Sequence, residues 1–256
     1  MTDHVSIAHR LDDAARSARS VAQYDGALAA ADAYRIQELL IELRLQRGEQ
    51  LVGVKMGFTS RAKMAQMGVS DLIWGRLTDA MRGEDGGSVA AGRFIHPRVE
   101  PEIAFLLNKP LSGAVTPLEA GDAVAGVAPA LEIIDSRYDQ FKFSLGDVIA
   151  DNASSAAFVI GAWRAMPADI SNLGMVMSLN GRTRQVGSTG AILGSPLRSL
   201  AAAARLAGES GLTLQPGWIV LAGAGTGAEA FAAGDHASVE IEQLGRADIT
   251  LQGGPA

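Results

Sequence analysis

The chain has 256 residues, 48% of them hydrophobic, and can therefore bury a sizeable core in one domain or two. Its 22 basic and 28 acidic residues give a net charge of −6, and the basic residues are scattered, which excludes a phosphate-binding stripe and argues against a nucleic-acid partner. There is no cysteine, no apolar signal core at the N-terminus and no run apolar enough to span a membrane, so we expect a cytoplasmic protein without membrane contact.

The first half of the chain predicts helices followed by strands. Residues 5–48 carry apolar side chains at helical spacing and predict two helices, with a break near Tyr24-Asp25-Gly26. A capped short helix is predicted at 60–67. Short β-like runs are predicted at 51–56, 93–96, 99–107 and 131–135.

The second half predicts one helix and a series of strands. Ser195 and Pro196 begin a helix that ends near Gly208. Asn180-Gly181 predicts a tight hairpin turn between strands at 175–179 and 182–186. Further strands are predicted at 218–221, 237–241 and 247–251. Because helices do not alternate with these strands, the class is α+β. We expect a helical segment, 1–48, packed on a β-rich catalytic domain, 49–256.

Two glutamates lie two residues apart in the apolar run 99–107. In a strand, Glu100 and Glu102 point to the same face, where like charges repel and lose hydration unless a cation or solvent is present. Glu132 adds a third carboxylate in another apolar run, and three carboxylates favour a hard divalent ion such as Mg²⁺ or Mn²⁺. The alternative is an edge strand whose solvent face carries both glutamates, which Pro101 permits. The pattern leaves both interpretations open.

Other polar groups in apolar surroundings are candidate ligand contacts. Lys55 lies in a strand-like run, where a buried lysine with a lowered pKa can donate a proton or stabilise an enolate, although lysines also reach past apolar neighbours to solvent. Asp151 and Asn152 belong to a polar cluster that either hydrogen-bonds carboxylate oxygens or the waters around a bound metal, or simply forms a turn. The glycine-rich segment 221–227, with Gly223 and Thr226, lets backbone amides approach a ligand.

Four separated blocks together resemble the 2-keto-4-pentenoate hydratase and 4-oxalocrotonate decarboxylase group of the fumarylacetoacetate hydrolase superfamily. The blocks are Lys55-Met56-Gly57, Glu100-Pro101-Glu102, Pro129-Ala130-Leu131-Glu132 and Ala150-Asp151-Asn152-Ala153-Ser154-Ser155. The resemblance implies a mixed β-roll with N-terminal and flanking helices. It also implies that Glu100, Glu102 and Glu132 bind Mg²⁺ or Mn²⁺, that Lys55 is catalytic and that Ser155 lies in the substrate pocket.

Within this group, the segments 56–69 and 135–143 look more like a decarboxylase than a hydratase. The implied reaction converts 4-oxalocrotonate, which is 2-oxo-3-hexenedioate, to 2-hydroxypenta-2,4-dienoate in the meta-cleavage catabolism of aromatic compounds. The first alternative is hydration of that dienoate by the same metal and lysine. Hydrolysis of an acylpyruvate is a second alternative, but it commonly involves a histidine for which the sequence offers no good match.

The resemblance also implies which molecules the protein binds. We expect a small unsaturated 2-oxo acid as substrate, a complex with a partner hydratase, and a homo-oligomer. An alternative of a different class is a non-catalytic subunit that binds and stabilises such a partner. Lys55 and the three glutamates argue for activity, because a purely structural subunit gains nothing from like charges that converge in an apolar strand.

Overall fold

The computed structural model describes residues 3–24, 28–60, 64 and 72–253, and the helix predicted at 60–67 lies largely outside these ranges. Within them the chain forms five α-helices, α1 His4–Ser17, α2 Ala30–Gln46, α3 Pro117–Gly121, α4 Leu145–Ala150 and α5 Pro196–Glu209. It also forms twelve strands: β1 Leu51–Gly57, β2 Ile73–Thr78, β3 Ser88–Ala90, β4 Arg98–Leu107, β5 Val124–Ile134, β6 Ser155–Ile160, β7 Gly174–Leu179, β8 Arg182–Ser188, β9 Ile219–Ala224, β10 Glu229–Ala230, β11 His236–Ile241 and β12 Gly245–Gln252.

The strands form two mixed sheets. The larger sheet has the order β2-β1-β9-β4-β5-β6, with β10 beside β4, and only its β1–β9 pair is parallel among the described strands. The smaller sheet has the order β3-β12-β11-β7-β8. One apolar cluster joins the inner faces of both, with Ile103 and Leu131 from the larger sheet and Met177, Val239 and Ile249 from the smaller. The α+β class and the mixed β-roll are confirmed.

Several predicted elements are observed with small changes at their ends. The two N-terminal helices, the hairpin and the helix after Ser195 are all present, and Asn180 and Gly181 adopt the positive φ angles, 53° and 72°, that the tight turn requires. The strand predicted at 93–96 is wrong. The backbone N–H groups of Ile95 and His96 donate to the carboxylate of Asp135 and not to a neighbouring strand.

The N-terminal helices pack against the larger sheet and α4. Ile7, Leu11, Ile36 and Leu40 share an apolar cluster with residues of the body, namely Ile73, Tyr138, Val148 and Ile149. The division of the chain at residue 48 stays a prediction. Among the described residues, no helix is long and apolar enough to cross a membrane.

A buried glutamine fixes α2 in place. The Gln37 amide nitrogen donates to the carbonyl oxygens of Trp74, at 3.0 Å, and Ile149, at 2.9 Å, while its oxygen accepts from Arg76 at 2.8 Å. These bonds satisfy the polar groups of Gln37 and of the body at once, which makes their burial tolerable. They hold α2 against β2 and α4, the two elements that flank the candidate site.

Candidate metal centre and active site

The three glutamates meet on one face of the larger sheet. Glu100 and Glu102 point to the same side of β4, and Glu100 lies directly opposite Glu132 on the antiparallel neighbour β5. One carboxylate oxygen of each lies within 4.8 Å of those of the other two, and all three residues are buried. The edge-strand alternative is wrong, because β4 is paired on both sides by β9 and β5.

The electrostatics of this cluster fit a hard cation. Burial raises the pKa of Glu102 well above its usual range, and the Glu132 carboxylate raises it further. Burial also raises the pKa of Glu132, although Lys55 opposes the shift. The Gly223 N–H donates to Oε2 of Glu102 at 2.8 Å, whereas the buried Oε1 has no hydrogen-bond partner among the described residues. Three converging carboxylates with an unsatisfied acceptor match the oxygen ligands that Mg²⁺ and Mn²⁺ take.

Lys55 extends from β1 into the same cluster. Its ammonium group lies 2.8 Å from Oε2 of Glu132 and donates to the carbonyl oxygen of Ala153 at 3.1 Å. Burial lowers the pKa of Lys55, but the carboxylates of Glu132, Glu102 and Glu100 outweigh that effect, so the net pKa is raised. The expectation of a lowered pKa is therefore wrong for the metal-free protein. Lys55 is a buried, protonated donor.

The cluster opens into a cavity of about 450 Å³. Its described lining includes three charged residues, Lys55, Glu100 and Arg98, and the polar residues Gln140 and Ser154. Apolar side chains form much of the wall: Phe58, Ile73, Ile134, Phe141, Phe143 and Val148. Such a site is polar at the carboxylate end and apolar along its walls, which suits a small organic acid.

The block between α4 and β6 is a left-handed turn that holds polar groups at the site. Asn152, Ala153 and Ser154 have positive φ angles of 50°, 51° and 57°, which is unfavourable for residues other than glycine. The turn directs the Ala153 carbonyl at Lys55, and the Ser155 hydroxyl donates to Oε1 of Glu132 at 2.7 Å. This strained segment therefore touches both Lys55 and Glu132.

Side-chain bonds hold this turn in its strained conformation. Arg137 is buried, forms a salt bridge with the Asp151 carboxylate, and donates to the Ser155 carbonyl at 3.2 Å. The Asn152 side chain pairs with the backbone of Arg76, accepting from its N–H at 2.7 Å and donating to its carbonyl at 2.9 Å. These contacts hold the two ends of the turn against Arg137, which follows β5, and against the backbone of β2.

The structure separates the predicted substrate contacts from the cavity. Asp151, Asn152, Ser155, Gly223 and Thr226 are not among the residues of its described lining. The polar groups of the first four bind Arg137, the backbone of Arg76, Glu132 and Glu102, so these residues support the site. Their direct contact with substrate stays a prediction. The Thr226 hydroxyl donates to the carbonyl of Gly227 at 3.2 Å, and its contact with substrate stays a prediction.

Sequence reasoning missed other residues of the site. Ser154 lines the cavity, and its buried hydroxyl has no partner among the described residues. Arg98 lies two residues before Glu100, so the alternation that paired the glutamates would also have placed it on their face. Nothing in the sequence marked Arg137 as a clamp, because its partner Asp151 is 14 residues away.

Gly223 is the position at which an added methyl group should do most harm to the carboxylate cluster. Its φ is 102°, and a Cβ there would lie 2.2 Å from Oγ1 of Thr59. We expect Gly223→Ala to shift the amide away from Glu102, to destabilise the protein by about 1–3 kcal/mol and to weaken Mg²⁺ binding. Urea denaturation and calorimetric metal titration measure both effects. Gly227→Ala is the matched control, since a Cβ there meets nothing nearer than 4.0 Å; equal effects of the two would contradict the argument.

Asp151 should give the protein a specific dependence of stability on pH. Burial raises its pKa from 3.8 to about 6 even though Arg137 opposes the shift. The folded chain therefore binds this proton more tightly than the unfolded chain, and the stabilisation is lost as pH rises from about 4 through 6. We expect the free energy of unfolding of the wild type, minus that of Asp151→Asn, to fall by on the order of 2 kcal/mol over this interval. Asp122→Asn, at an exposed position, is the control, and a flat difference for Asp151→Asn would contradict the assignment.

Comparisons with known proteins agree with this geometry. The sequence profile of the C-terminal fumarylacetoacetate hydrolase family matches residues 50–252. The chain therefore belongs to the fumarylacetoacetate hydrolase family.

Individual relatives show which enzymes of this family the chain resembles. A 4-oxalocrotonate decarboxylase from a Pseudomonas species is 57% identical over 249 residues, which cover 96% of this chain and 97% of the relative. A 2-hydroxyhexa-2,4-dienoate hydratase from Comamonas testosteroni is 38% identical over 248 residues, 94% of each chain. The structure of 4-oxalocrotonate decarboxylase from Pseudomonas putida G7, complexed with magnesium and adipate, matches with a TM-score of 0.94 at 36% identity over 98% of both chains. The resemblance to the decarboxylase and hydratase group is confirmed.

Proposed function

We propose that this protein is a divalent-metal-dependent decarboxylase that converts 4-oxalocrotonate to 2-hydroxypenta-2,4-dienoate in the catabolism of aromatic compounds. The observation that carries the proposal is the 57% identity, over nearly the whole chain, to a 4-oxalocrotonate decarboxylase. The site geometry supports it, because three buried carboxylates and a lysine meet at the end of a cavity with apolar walls.

Glu100, Glu102 and Glu132 would hold Mg²⁺ or Mn²⁺. When bound, the ion supplies a Lewis acid that draws electron density towards the 2-oxo group of the substrate. The Gly223 amide and the Ser155 hydroxyl orient the Glu102 and Glu132 carboxylates towards that position. Residues of this kind matter because a ligand that is displaced by a fraction of an ångström loses much of its effect.

Decarboxylation breaks the bond between the distal carboxylate and the neighbouring methylene carbon. The electron pair moves along the conjugated chain to the 2-oxo oxygen, carbon dioxide leaves, and a proton on that oxygen completes the dienol. Lys55 is protonated and held by Glu132 and the Ala153 carbonyl, so its ammonium group can stabilise the developing negative charge or deliver this proton. Apolar side chains of the cavity wall, including Ile134 and Phe143, lie along the cavity and reduce contact of the conjugated chain with water.

Hydration of 2-hydroxypenta-2,4-dienoate is the second candidate, favoured by the 38% identity to a hydratase. It uses the same carboxylates and lysine but also needs a positioned water. A non-catalytic role as the partner subunit of a hydratase is a third candidate. The complex with a hydratase, the homo-oligomer and the cytoplasmic location stay predictions.

Product identity tests the proposal. Metal-stripped protein is incubated with 4-oxalocrotonate, with and without Mg²⁺ or Mn²⁺, while carbon dioxide, the dienoate and 4-hydroxy-2-oxopentanoate are followed. We expect metal-dependent release of carbon dioxide with accumulation of the dienoate. Hydration of supplied dienoate without any carbon dioxide would replace the decarboxylase with the hydratase. No turnover of either compound with metal bound would favour the subunit role.

A further inference from the structure

Arg98 stands at the solvent end of the cavity, on the same face as the glutamates. It is the first residue of β4, and residues 98, 100 and 102 alternate to one side of the strand. At 3.2–3.4 Å per residue, the Cα of Arg98 lies about 7 Å beyond that of Glu100. Arg98 is exposed at its strand position yet lines the cavity. The cavity therefore has carboxylates at one end and an arginine further along.

The positive charge of Arg98 is not neutralised by an ion pair within the described part of the protein. Of the charged residues in the described lining, Lys55 is paired with Glu132, whereas no described carboxylate forms an ion pair with Arg98. The guanidinium carbon lies 4.7 Å from the centre of the Phe141 ring. Stacking on an aromatic face orients a guanidinium and leaves its N–H groups free to bind an anion.

Phe141 is held firmly enough to orient the arginine. Gln140 and Phe141 both have a φ of 59°, in the left-handed region that bulky residues avoid. The segment is fixed by backbone bonds from Asp139 N–H to the Val21 carbonyl, at 2.9 Å, and from Phe141 N–H to the Tyr138 carbonyl, at 3.2 Å. A strained backbone that the surroundings keep in place is typical of residues that position a ligand contact.

We propose that Arg98 binds the second carboxylate of the substrate and so selects a dicarboxylic 2-oxo acid. This inference rests on the proposed function, which places the 2-oxo acid end of the substrate at the three glutamates. An extended six-carbon dicarboxylate then directs its distal carboxylate along β4 towards Arg98. The hydratase substrate carries a single carboxylate and would leave the guanidinium without a partner.

The chemistry limits what Arg98 contributes to the rate. The distal carboxylate is charged in the bound substrate and leaves as neutral carbon dioxide, so an ion pair with Arg98 is stronger before the transition state than in it. Such an interaction lowers KM without raising kcat. Arg98 is therefore a specificity residue, and its removal should raise KM without lowering kcat.

Paired binding measurements test the inference. In the presence of Mg²⁺, 2-oxoadipate and 2-oxohexanoate are titrated calorimetrically into the wild type, Arg98→Met, Arg98→Lys and Arg184→Met. The two ligands share the 2-oxo acid end and a six-carbon chain, and only 2-oxoadipate has the second carboxylate. Methionine keeps an apolar stem that can lie on Phe141. Arg184 is exposed on β8 of the smaller sheet and serves as the matched control.

We expect the wild type and Arg184→Met to bind 2-oxoadipate about tenfold to a hundredfold more tightly than 2-oxohexanoate. Arg98→Met should bind both with equal affinity, Arg98→Lys should fall between, and the affinity for 2-oxohexanoate should be the same in all four proteins. With 4-oxalocrotonate as substrate, Arg98→Met should show a raised KM and a nearly unchanged kcat.

The outcomes separate this inference from the proposed function. If both ligands bind in a Mg²⁺-dependent way but Arg98→Met keeps the preference for 2-oxoadipate, or the wild type has none, Arg98 is not the carboxylate contact and the metal-dependent site stands. If neither ligand binds to the wild type with Mg²⁺ present, the proposed function fails and the inference fails with it.

Discussion

Replacement of Glu102 by glutamine should abolish metal-dependent turnover and leave the metal-free protein at least as stable as the wild type. The carboxylate is fully buried, its pKa is raised by burial and by Glu132, and Oε1 has no partner among the described residues. A neutral amide of the same shape removes that repulsion, so we expect the metal-free free energy of unfolding to rise by on the order of 1 kcal/mol at neutral pH. The loss of a ligand should lower kcat/KM and Mg²⁺ affinity at least about a hundredfold.

The free energy of unfolding, measured with and without Mg²⁺, tests both the stability of this variant and its affinity for the ion. At a Mg²⁺ concentration 100 times its dissociation constant, the wild type should gain about 2.7 kcal/mol of stability, whereas a hundredfold weaker variant should gain about 0.4 kcal/mol. Glu240→Gln, at an exposed position on β11, is the control and should behave as the wild type. A Glu102→Gln variant that keeps the full Mg²⁺ stabilisation would show that Glu102 does not bind the ion.

Replacement of Lys55 by methionine should also abolish most activity, but with the opposite effect on metal affinity. The ammonium group offsets buried negative charge at 2.8 Å from Glu132, and its removal leaves the carboxylates without a cation in the metal-free protein. Breaking a buried pair in this way costs about 3–5 kcal/mol. Mg²⁺ no longer competes with the lysine charge, so it should bind several-fold more tightly, while kcat falls about 10²- to 10⁴-fold.

The two variants together separate the metal centre from the proton donor. Urea denaturation in chelator and calorimetric titration with Mg²⁺ provide the stabilities and affinities, and Lys109→Met, at an exposed position after β4, provides the control. Tighter Mg²⁺ binding with lost turnover in Lys55→Met assigns the lysine to the reaction. Weaker Mg²⁺ binding would instead make Lys55 a support for the carboxylates.

The sequence predicted the carboxylate cluster because local spacing determines which face of a strand a side chain occupies. Glu100 and Glu102 share a face by alternation alone, whichever strands are their neighbours. The position of Glu132 opposite Glu100 depends on the pairing of β4 with β5, which local spacing does not determine. The apolar surroundings of Glu132 suggested it as a third ligand, and the resemblance to a known family strengthened that grouping.

The left-handed turn at 152–154 could not be predicted from its residues. Asparagine visits positive φ readily, but Ala153 and Ser154 do so only because distant groups hold them. Arg137 and the backbone of Arg76 provide those contacts, and their sequence separations of 14 and 76 residues place them beyond any local pattern. For the same reason the polar block was interpreted as a set of ligand contacts, whereas much of it supports the site.

Strand β2 was missed because its sequence contains a glycine and an arginine. Arg76 is buried there, with its guanidinium 4.6 Å from the Trp74 ring and hydrogen-bonded to Gln37. Gly75 is needed because a Cβ would lie 2.6 Å from the carbonyl oxygen of Asn152. Tertiary contacts explain both residues, and such contacts outweigh the intrinsic strand propensity of a residue.

The most direct test of the metal centre is the position of a bound ion. Crystals of the protein grown with Mn²⁺ provide an anomalous difference map at a wavelength where manganese scatters strongly. We expect a single strong peak among the carboxylates of Glu100, Glu102 and Glu132, absent from crystals of Glu102→Gln grown in the same way. Full Mn²⁺-dependent activity in solution together with a peak elsewhere, or with none at these glutamates, would contradict it.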